Sequence, residues 1–182
     1  MIYYITSNRD KVENANIILR QHGLSLTAKN VPFIEIQTDS LEEIALHKAK
    51  QAFGVVKKPL VVNDTGWEIK ALRGFPGVYM QYVNNWFTAE DFLNLIKPYR
   101  DRTVIMRQAV YYIDSEQAKL FFHEIKGIIV KTPKGKGRPS ETIFSFRPDG
   151  KTLAECQNDG IHFTNDNNSI WNDFAKWYKT QS

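Results

Sequence analysis

The sequence predicts an α/β fold, a mixed β-sheet with flanking helices, from two observations. Over the first 64 residues, short apolar runs alternate with helix-period segments in the order strand, helix, strand, helix, strand. Further along, two long strand-like runs, Thr103 to Ile113 and Lys119 to Thr132, flank a turn at Asp114 and Ser115, which indicates a β-rich second lobe. We therefore expect one domain over residues 1–182, built as two lobes.

The first strand and helix are predicted from apolar pattern and capping residues. The run from Met1 to Thr6 is typical of a short buried strand. Asn8 and Asp10 then supply N-cap chemistry for a helix over about residues 11–22, and Gly23 is suited to end it.

The next strand, helix and strand are predicted in the same way. The run from Val31 to Ile36 predicts a second strand that carries Glu35, and Ser40 caps a helix that Gly54 is expected to end. The β-branched run from Pro59 to Asn63 predicts a third strand that ends at a turn through Asp64, Thr65 and Gly66.

Two more helices are expected in the rest of the chain. Thr88 is a suitable cap for a helix to about Ile96, which Pro98 would end. Apolar residues fall on one helical stripe between Ile170 and Tyr178, which predicts a packing helix. The stretch from Asn165 to Asn168 is polar enough for a loose loop.

Composition and charge narrow the classes of function. No leader peptide and no stretch long enough to span a bilayer are visible, so we expect a cytoplasmic protein with no membrane partner. The net charge of +4 fits an anionic ligand, but the excess is concentrated in a Gly/Pro-rich stretch from Lys131 to Arg138. This stretch is either a phosphate-facing loop or a solvated hairpin tip. Because the sequence offers no broad basic face with interleaved aromatics, we expect no nucleic acid polymer as partner.

The segment after the first strand could bind a phosphate. Thr6, Ser7 and Asn8 offer hydroxyls and an amide at the positive end of the first predicted helix, and Lys11 lies one turn into that helix. N-cap turns of this composition are also common for structural reasons alone, so both interpretations stay open.

Two carboxylates are candidate metal ligands, and one lysine is a candidate for binding an anion. Glu35 and Asp64 carry the hard oxygen ligands that Mg²⁺ prefers, although either could be an ordinary strand or turn residue. Lys48 falls on or beside the apolar stripe of the second predicted helix, where an unpaired ammonium is costly. It either extends to the solvent edge or points at an anion. The spacings of zinc sites, of the Walker phosphate loop and of serine hydrolases are absent from the sequence.

Four fragments, in order, resemble motifs of the inosine triphosphate pyrophosphatase family. Thr6 to Lys11 (TSNRDK) is similar to its T-G-N-x-x-K opening, with Ser7 in place of Gly. Glu35 to Gln37, followed by Lys48 and Ala49, resembles its Glu-Ile-Gln and Lys-Ala elements. Pro59 to Tyr79 is similar, almost residue by residue, to its D-[ST]-G-L-x-x-x-A-L-x-G-x-P-G-x-Y segment. Pro148 to Glu155 (PDGKTLAE) resembles its P-x-G-K-T-x-A-E element.

This resemblance implies an elongated, two-lobed homodimer with a nucleotide-binding cleft. Such a protein hydrolyses aberrant purine nucleotides such as ITP, dITP and XTP to the monophosphate and pyrophosphate, with Mg²⁺, or Mn²⁺ in its place, as cofactor. By the same resemblance Glu35 and Asp64 would hold the metal, and Asp64 would also act on the attacking water. The residues implied in substrate binding are Thr6, Ser7, Asn8, Lys11, Lys48 and Thr65.

The sequence also departs from the family's pattern. Asn63 stands where an acid is typical, and Gln81 where Lys or Arg is usual. Arg138 to Thr142 replaces the family's base-holding loop, with Glu141 the nearest match to its Asp, and Ser169 to Ala175 replaces its S-H-R element. Two alternatives therefore remain: a nucleotide-binding protein of the same fold with little catalysis, or a pyrophosphatase for a different nucleotide.

Overall fold

The computed structural model describes residues 1–161 and 169–181, and in this part of the chain the elements are seven strands and six α-helices. The strands are β1 (Ile2–Ile5), β2 (Leu26–Lys29), β3 (Leu60–Ile69), β4 (Pro76–Gly77), β5 (Thr103–Ile113), β6 (Ala118–Ile129) and β7 (Phe144–Ser145). The helices are α1 (Arg9–Gln21), α2 (Leu41–Val56), α3 (Met80–Trp86), α4 (Ala89–Ile96), α5 (Leu153–Asn158) and α6 (Ile170–Lys179), with a 3₁₀ turn at Lys70–Leu72.

The strands form one mixed sheet, which confirms the predicted fold class. Their order is β2-β1-β3-β5-β6-β7, and β4 pairs with β3 beside this path. β1 is parallel to both β2 and β3, whereas β4 runs antiparallel to β3 and β7 antiparallel to β6. The predicted hairpin is present, because Asp114 accepts hydrogen bonds from the backbone nitrogens of Glu116 and Gln117 and so closes the turn between β5 and β6.

The chain divides into two compact units. The first contains residues 1–64, 108–123 and 169–181, and the second contains residues 65–107 and 124–161. The end of the β5–β6 hairpin therefore groups with the first unit, and is not confined to a β-rich second lobe as the sequence pattern suggested.

The core of the first unit is formed by helices that pack on strands. Its buried residues are Ile2, Tyr4, Ala15, Ile18, Leu19, Leu26, Val61, Val110, Tyr112, Phe121, Ile170, Trp171, Phe174 and Ala175. The predicted stripe of α6 accounts for the last four, which confirms that this helix is a packing helix. Asn8 caps α1 and Ser40 caps α2, both as predicted.

The core of the second unit is separate. Its buried residues are Ile69, Met80, Val83, Phe92, Ile96, Val104, Ile129, Ile143 and Phe144. Thr88 caps α4 in a capping box with Asp91, as its sequence indicates. The capping box of Thr152 and Glu155 begins the short helix α5, which the sequence analysis did not identify.

The second strand was wrongly placed. β2 is Leu26–Lys29, and the run from Val31 to Ile36 is irregular. β1 has only four residues to offer as a parallel partner, and residues 26–29 pair with all of them. Pro32 also lacks a backbone N–H, which disfavours a ladder in the following run. Glu35 is consequently held outside the sheet.

The third strand is longer than predicted, and Asp64 is not in a turn. β3 continues from Leu60 to Ile69, with β5 as its neighbour in the sheet and β4 as an antiparallel partner at Trp67 and Glu68. The side chain of Asp64 therefore projects from the middle of a strand.

Two helix predictions also need correction. α2 continues through Gly54 to Val56 and ends at Lys57 in a left-handed conformation, just before the Lys58–Pro59 pair, where a helix is disfavoured. α3, which the sequence pattern did not predict, has only seven residues and follows directly after a stretch with two Gly and one Pro, Leu72 to Tyr79.

The loop predicted from Asn165 to Asn168 lies outside the described residues, as does His162. Among those described, no helix has both the length and the apolar character needed to cross a bilayer.

Candidate active site

A buried lysine bridges the two predicted carboxylates in the first unit. The Lys48 ammonium on α2 donates to Asp64 Oδ1 on β3 at 2.6 Å and pairs with Glu35 Oε1 at the same distance. The Lys48 and Asp64 side chains are 11% and 15% exposed, whereas that of Glu35 is 53% exposed. Of the two alternatives for Lys48, extension to solvent is therefore wrong, and the side chain points at anionic groups.

The electrostatic environment keeps Lys48 charged. Burial by itself would lower the pKa of the ammonium, but the charge and hydrogen bond of Asp64, and then those of Glu35, outweigh it and raise the pKa above its ordinary value. A buried ion pair of this kind adds little net stability, because desolvation offsets most of the attraction. Its presence therefore points to a function for the charges.

Asp64 has coordination capacity that the described residues leave unused. Its Oδ2 atom is buried and has no hydrogen-bond partner among them. In the described part of the chain, no group of three or more His, Cys, Asp or Glu side chains is arranged to hold a metal. Mg²⁺, however, is commonly held by one or two carboxylates together with substrate phosphates and water. Asp64 and Glu35 are a donor set that fits this mode of binding.

Tyr4 forms part of the buried surroundings of Asp64. Its side chain is 1% exposed in β1, and burial, assisted by the negative charge of Asp64, raises the pKa of the phenol. Tyr4 therefore stays neutral and adds no second negative charge beside the carboxylate.

Lys11 approaches the same strand from α1. Its ammonium donates to the backbone oxygen of Asn63, the residue before Asp64, at 3.3 Å. The Asn63 amide in turn donates to the backbone oxygen of Ala109 on β5 at 3.3 Å. A carboxylate at position 63 would face this carbonyl oxygen and repel it, which gives a physical reason for the amide at this position.

The turn after β1 is closed by its own side chains. Asn8 Oδ1 accepts from the backbone nitrogens of Asp10 and Lys11, and Thr6 Oγ1 accepts from Asn8 N. Asn8 therefore caps α1, Thr6 closes the turn just before the helix, and Ser7 is exposed. Thr65 follows Asp64 in β3, so the alternation of strand side chains places its side chain on the other face.

The segment that carries Glu35 has contacts with α2 that the sequence analysis missed. The Gln51 carboxamide donates to Ile34 O at 2.8 Å and accepts from Ile34 N at 3.1 Å. The Phe33 ring centroid lies 5.2 Å from the Lys48 ammonium. The only signal in the sequence was spacing, since Gln51 lies three residues after Lys48 and therefore on the same face of the helix.

The residues that depart from the family's pattern have structural roles here. In the second unit, Glu141 Oε2 accepts from Arg138 N at 2.8 Å, and so the carboxylate braces its own loop. In the first unit, Ser169 caps α6, and the Trp171 ring packs against the Tyr4 ring at a tilt of 58°, with centroids 5.4 Å apart. Gln81 is the exception and is exposed on α3. The four basic side chains between Lys131 and Arg138 are exposed, which fits both a solvated tip and a phosphate-facing loop.

The fold and this group of residues define a class of protein: a mixed α/β protein with a charged lysine and two carboxylates positioned around the third strand. Within that class, the chain belongs to the Ham1 family, whose model matches residues 2–161. This result agrees with the family resemblance found in the sequence.

Individual relatives support the same assignment. The chain is 31% identical over 180 residues to a dITP/XTP pyrophosphatase of Methanopyrus kandleri, covering 98% of this chain and 96% of the relative. It is 30% identical over 177 residues to a protein of the same name from Thermococcus kodakarensis, covering 97% and 96%.

Solved structures share the fold. The Ham1 protein of Staphylococcus aureus matches with a TM-score of 0.78 at 19% identity, covering 100% of this chain and 99% of that one. A HAM1 protein from Coxiella burnetii gives the same TM-score at 20% identity, covering 100% and 98%.

Proposed function

We propose that this chain is a nucleoside triphosphate pyrophosphatase that hydrolyses aberrant purine nucleotides such as dITP, XTP and ITP to the monophosphate and pyrophosphate. The observation that carries the proposal is the buried Lys48 held between Asp64 and Glu35. The names of the relatives that match nearly the whole chain support this choice of substrate class.

The proposed reaction needs one charge to be neutralised and one water to be oriented. Water attacks the α-phosphorus, the bond from that phosphorus to the bridging oxygen breaks, and pyrophosphate leaves. Asp64 is the base that accepts a proton from this water, and its unpartnered Oδ2 is the atom with hydrogen-bonding capacity to spare. Lys48 and Lys11 carry positive charge toward the phosphates and stabilise the charge that develops on the leaving group.

Glu35 and Asp64 are the residues proposed to hold Mg²⁺, with Mn²⁺ as a substitute. When bound, the ion would supply a Lewis acid that neutralises phosphate oxygens. The proposal rests on the oxygen donor set: Glu35 Oε1 and Asp64 Oδ1 would be the ligand atoms, which leaves the unpartnered Asp64 Oδ2 for the water. The Lys48 ammonium now contacts both Asp64 Oδ1 and Glu35 Oε1. A bound metal and triphosphate would therefore compete with the ammonium for these two oxygens.

A second candidate is a pyrophosphatase of the same mechanism for a different base. Two observations favour it. The Glu141 carboxylate accepts a hydrogen bond from the Arg138 backbone within its own loop. Residues from Ser169 to Ala175 form the cap and the first turns of the packing helix α6. These segments replace the elements that relatives would use to hold a 6-oxopurine, so base preference is the least constrained part of the function.

We further propose a cytoplasmic homodimer, on the strength of the family resemblance. Multi-angle light scattering on the purified protein tests the dimer directly. A single species of monomer mass across the micromolar range would contradict it.

A nucleotide panel tests the function. ITP, dITP, XTP, ATP, GTP, CTP and UTP are incubated with Mg²⁺, Mn²⁺ or EDTA, and the nucleotide products and pyrophosphate are separated by ion-exchange chromatography. The expected result is monophosphate and pyrophosphate in equal amounts, with no turnover in EDTA. Stepwise release of orthophosphate would contradict the proposed bond cleavage.

Asp64→Asn identifies the base within the same assay. Its kcat should fall at least about a hundredfold, the range for losing a general base, while circular dichroism stays unchanged. Asp39→Asn is the matched control, since Asp39 is exposed just before α2. An Asp64→Asn protein with full activity would remove Asp64 from the mechanism.

A further inference from the structure

We propose that Gln51 is a positioning residue for Glu35, the carboxylate assigned above to the metal and triphosphate. The inference rests on the proposed function, since it concerns how that site is assembled. Glu35 lies in a segment outside the sheet, and residues 31–37 make no backbone–backbone hydrogen bonds with other described residues. A carboxylate that serves as a ligand needs a defined position, so something other than a strand ladder has to hold this backbone.

The carboxamide of Gln51 substitutes for the missing strand partner. It donates to Ile34 O at 2.8 Å and accepts from Ile34 N at 3.1 Å, and so satisfies both polar groups of that residue. A neighbouring strand would make the same pair of bonds. Gln51 Nε2 also contacts His47 Nδ1 at 2.7 Å, one helical turn earlier. With His47 as acceptor, both amide protons are used and the orientation of the carboxamide is fixed.

Side-chain burial anchors the segment at Val31, which is buried, but contributes little at Ile34 and Glu35 themselves. Ile34 is 77% exposed, and the Glu35 side chain is 53% exposed. Lys48 and Gln51 lie one turn apart on α2, so the helix holds the main chain at residue 34 and the carboxylate at residue 35 from one face.

The contribution of Gln51 should therefore appear in metal binding. Binding of metal and triphosphate would break the contact between Glu35 and Lys48, whereas the hydrogen bonds from Gln51 to the backbone of Ile34 could persist. Gln51 therefore keeps Glu35 near its ligating position at the moment when Lys48 releases it. Residues that hydrogen-bond to a metal ligand and fix its orientation typically contribute about 10- to 100-fold to metal affinity.

Gln51→Met tests the inference, because methionine keeps the length of the side chain and removes both hydrogen bonds. Gln21→Met, the same change at the exposed last residue of α1, is the control. The structural readout is hydrogen–deuterium exchange at the Ile34 amide. The binding readout is the ratio of two affinities measured by calorimetry, one for the Mn²⁺ chelate of α,β-methylene-dITP and one for the same analogue in EDTA.

Gln51→Met should speed exchange at Ile34 and lower this affinity ratio at least about tenfold, with binding of the metal-free analogue unchanged. Gln21→Met should change neither. In a Glu35→Gln background, Gln51→Met should have no further effect on the ratio, because Gln51 acts through Glu35. Unchanged metal preference in Gln51→Met, or an equal loss of metal-free binding, would overturn the inference.

The outcomes also separate this inference from the proposed function. If the wild-type protein does not prefer the chelate, or if Glu35→Gln leaves the preference intact, then Glu35 is not a metal ligand, and both that assignment and the role of Gln51 fail; the nucleotide panel tests the pyrophosphatase activity separately. If Glu35→Gln abolishes the preference and Gln51→Met does not alter it, only the role of Gln51 is refuted.

Discussion

Lys48→Met should lower the free energy of unfolding by about 2–3 kcal/mol. The Lys48 ammonium lies 2.6 Å from Asp64 Oδ1, and Asp64 Oδ2 has no other partner among the described residues. Removal of one member of a buried pair typically costs about 3–5 kcal/mol, because the other charge is left buried and unpaired. Asp64 retains 15% exposure, which places the expected value toward and slightly below the lower end of that range.

Glu35 should contribute far less to the same measurement. Its side chain is 53% exposed, so solvent screens its interaction with Lys48, and Glu35→Gln should cost less than about 1 kcal/mol. The assay is urea unfolding followed by the fluorescence of the four tryptophans and by circular dichroism. Lys50→Met is the matched control, since Lys50 is exposed on the same helix and should stay within about 0.5 kcal/mol of wild type.

A double variant tests the stated cause. If Lys48→Met is less stable because the Asp64 carboxylate is left buried and unpaired, then Lys48→Met/Asp64→Asn should have a higher free energy of unfolding than Lys48→Met alone. A Lys48→Met protein as stable as wild type, or a Glu35→Gln protein destabilised as strongly, would refute the reasoning.

Three further predictions follow from other parts of the molecule. In the loop from Arg138 to Thr142 the Glu141 carboxylate already accepts a hydrogen bond from the Arg138 backbone. The kcat/KM for ITP or XTP should therefore exceed that for ATP by less than about a hundredfold, or a different nucleotide should be preferred. A preference for ITP or XTP of several thousandfold in the nucleotide panel would contradict this. The pKa of Asp114 is held below its usual range: burial would raise it, but hydrogen bonds from the Tyr112 hydroxyl and two backbone amides prevail. Its folded-state pKa is depressed, so its stabilisation is present above the unfolded value of about 3.9 and is lost as pH falls through the folded value. The stability difference between wild type and Asp114→Asn, measured by urea unfolding, should therefore shrink below about pH 4, and a difference that grows there would have the wrong sign. Gly127→Ala should cost about 1–3 kcal/mol, since its Cβ would collide with the backbone oxygen of Ser145, whereas Gly54→Ala should gain up to about 1 kcal/mol in an open, helical position; thermal unfolding of the two variants checks both signs.

Local signals in the sequence were reliable where a local interaction decides the structure. Asn8, Ser40 and Thr88 were identified as helix caps because each side chain bonds to backbone nitrogens within three residues. The stripe of α6 was identified because burial of a helix face has a fixed period. The turn at Asp114 follows from the same local chemistry.

Errors arose where the partner lies far along the chain. Val31 to Ile36 has the composition of a strand, but β1 is already fully paired with residues 26–29. Asp64 looked like a turn residue because nothing near it in sequence indicates that β5, which begins at Thr103, will lie beside β3. Gly54 looked like a stop, yet the helix tolerates it at a cost of about 1 kcal/mol until Lys57 and Pro59.

The sequence by itself determined the α/β fold class, the capped helices, the family and the chemical types of the site residues, because periodicity, capping and motif order are properties of short segments. Only the tertiary structure decided that Lys48 lies between Glu35 and Asp64, which are 13 and 16 positions away along the chain. The same holds for Gln51, whose amide has a function only where α2 packs beside Ile34. Spacing along a chain cannot fix such contacts, because they depend on which strands pair and on which face of a helix meets the segment beside it.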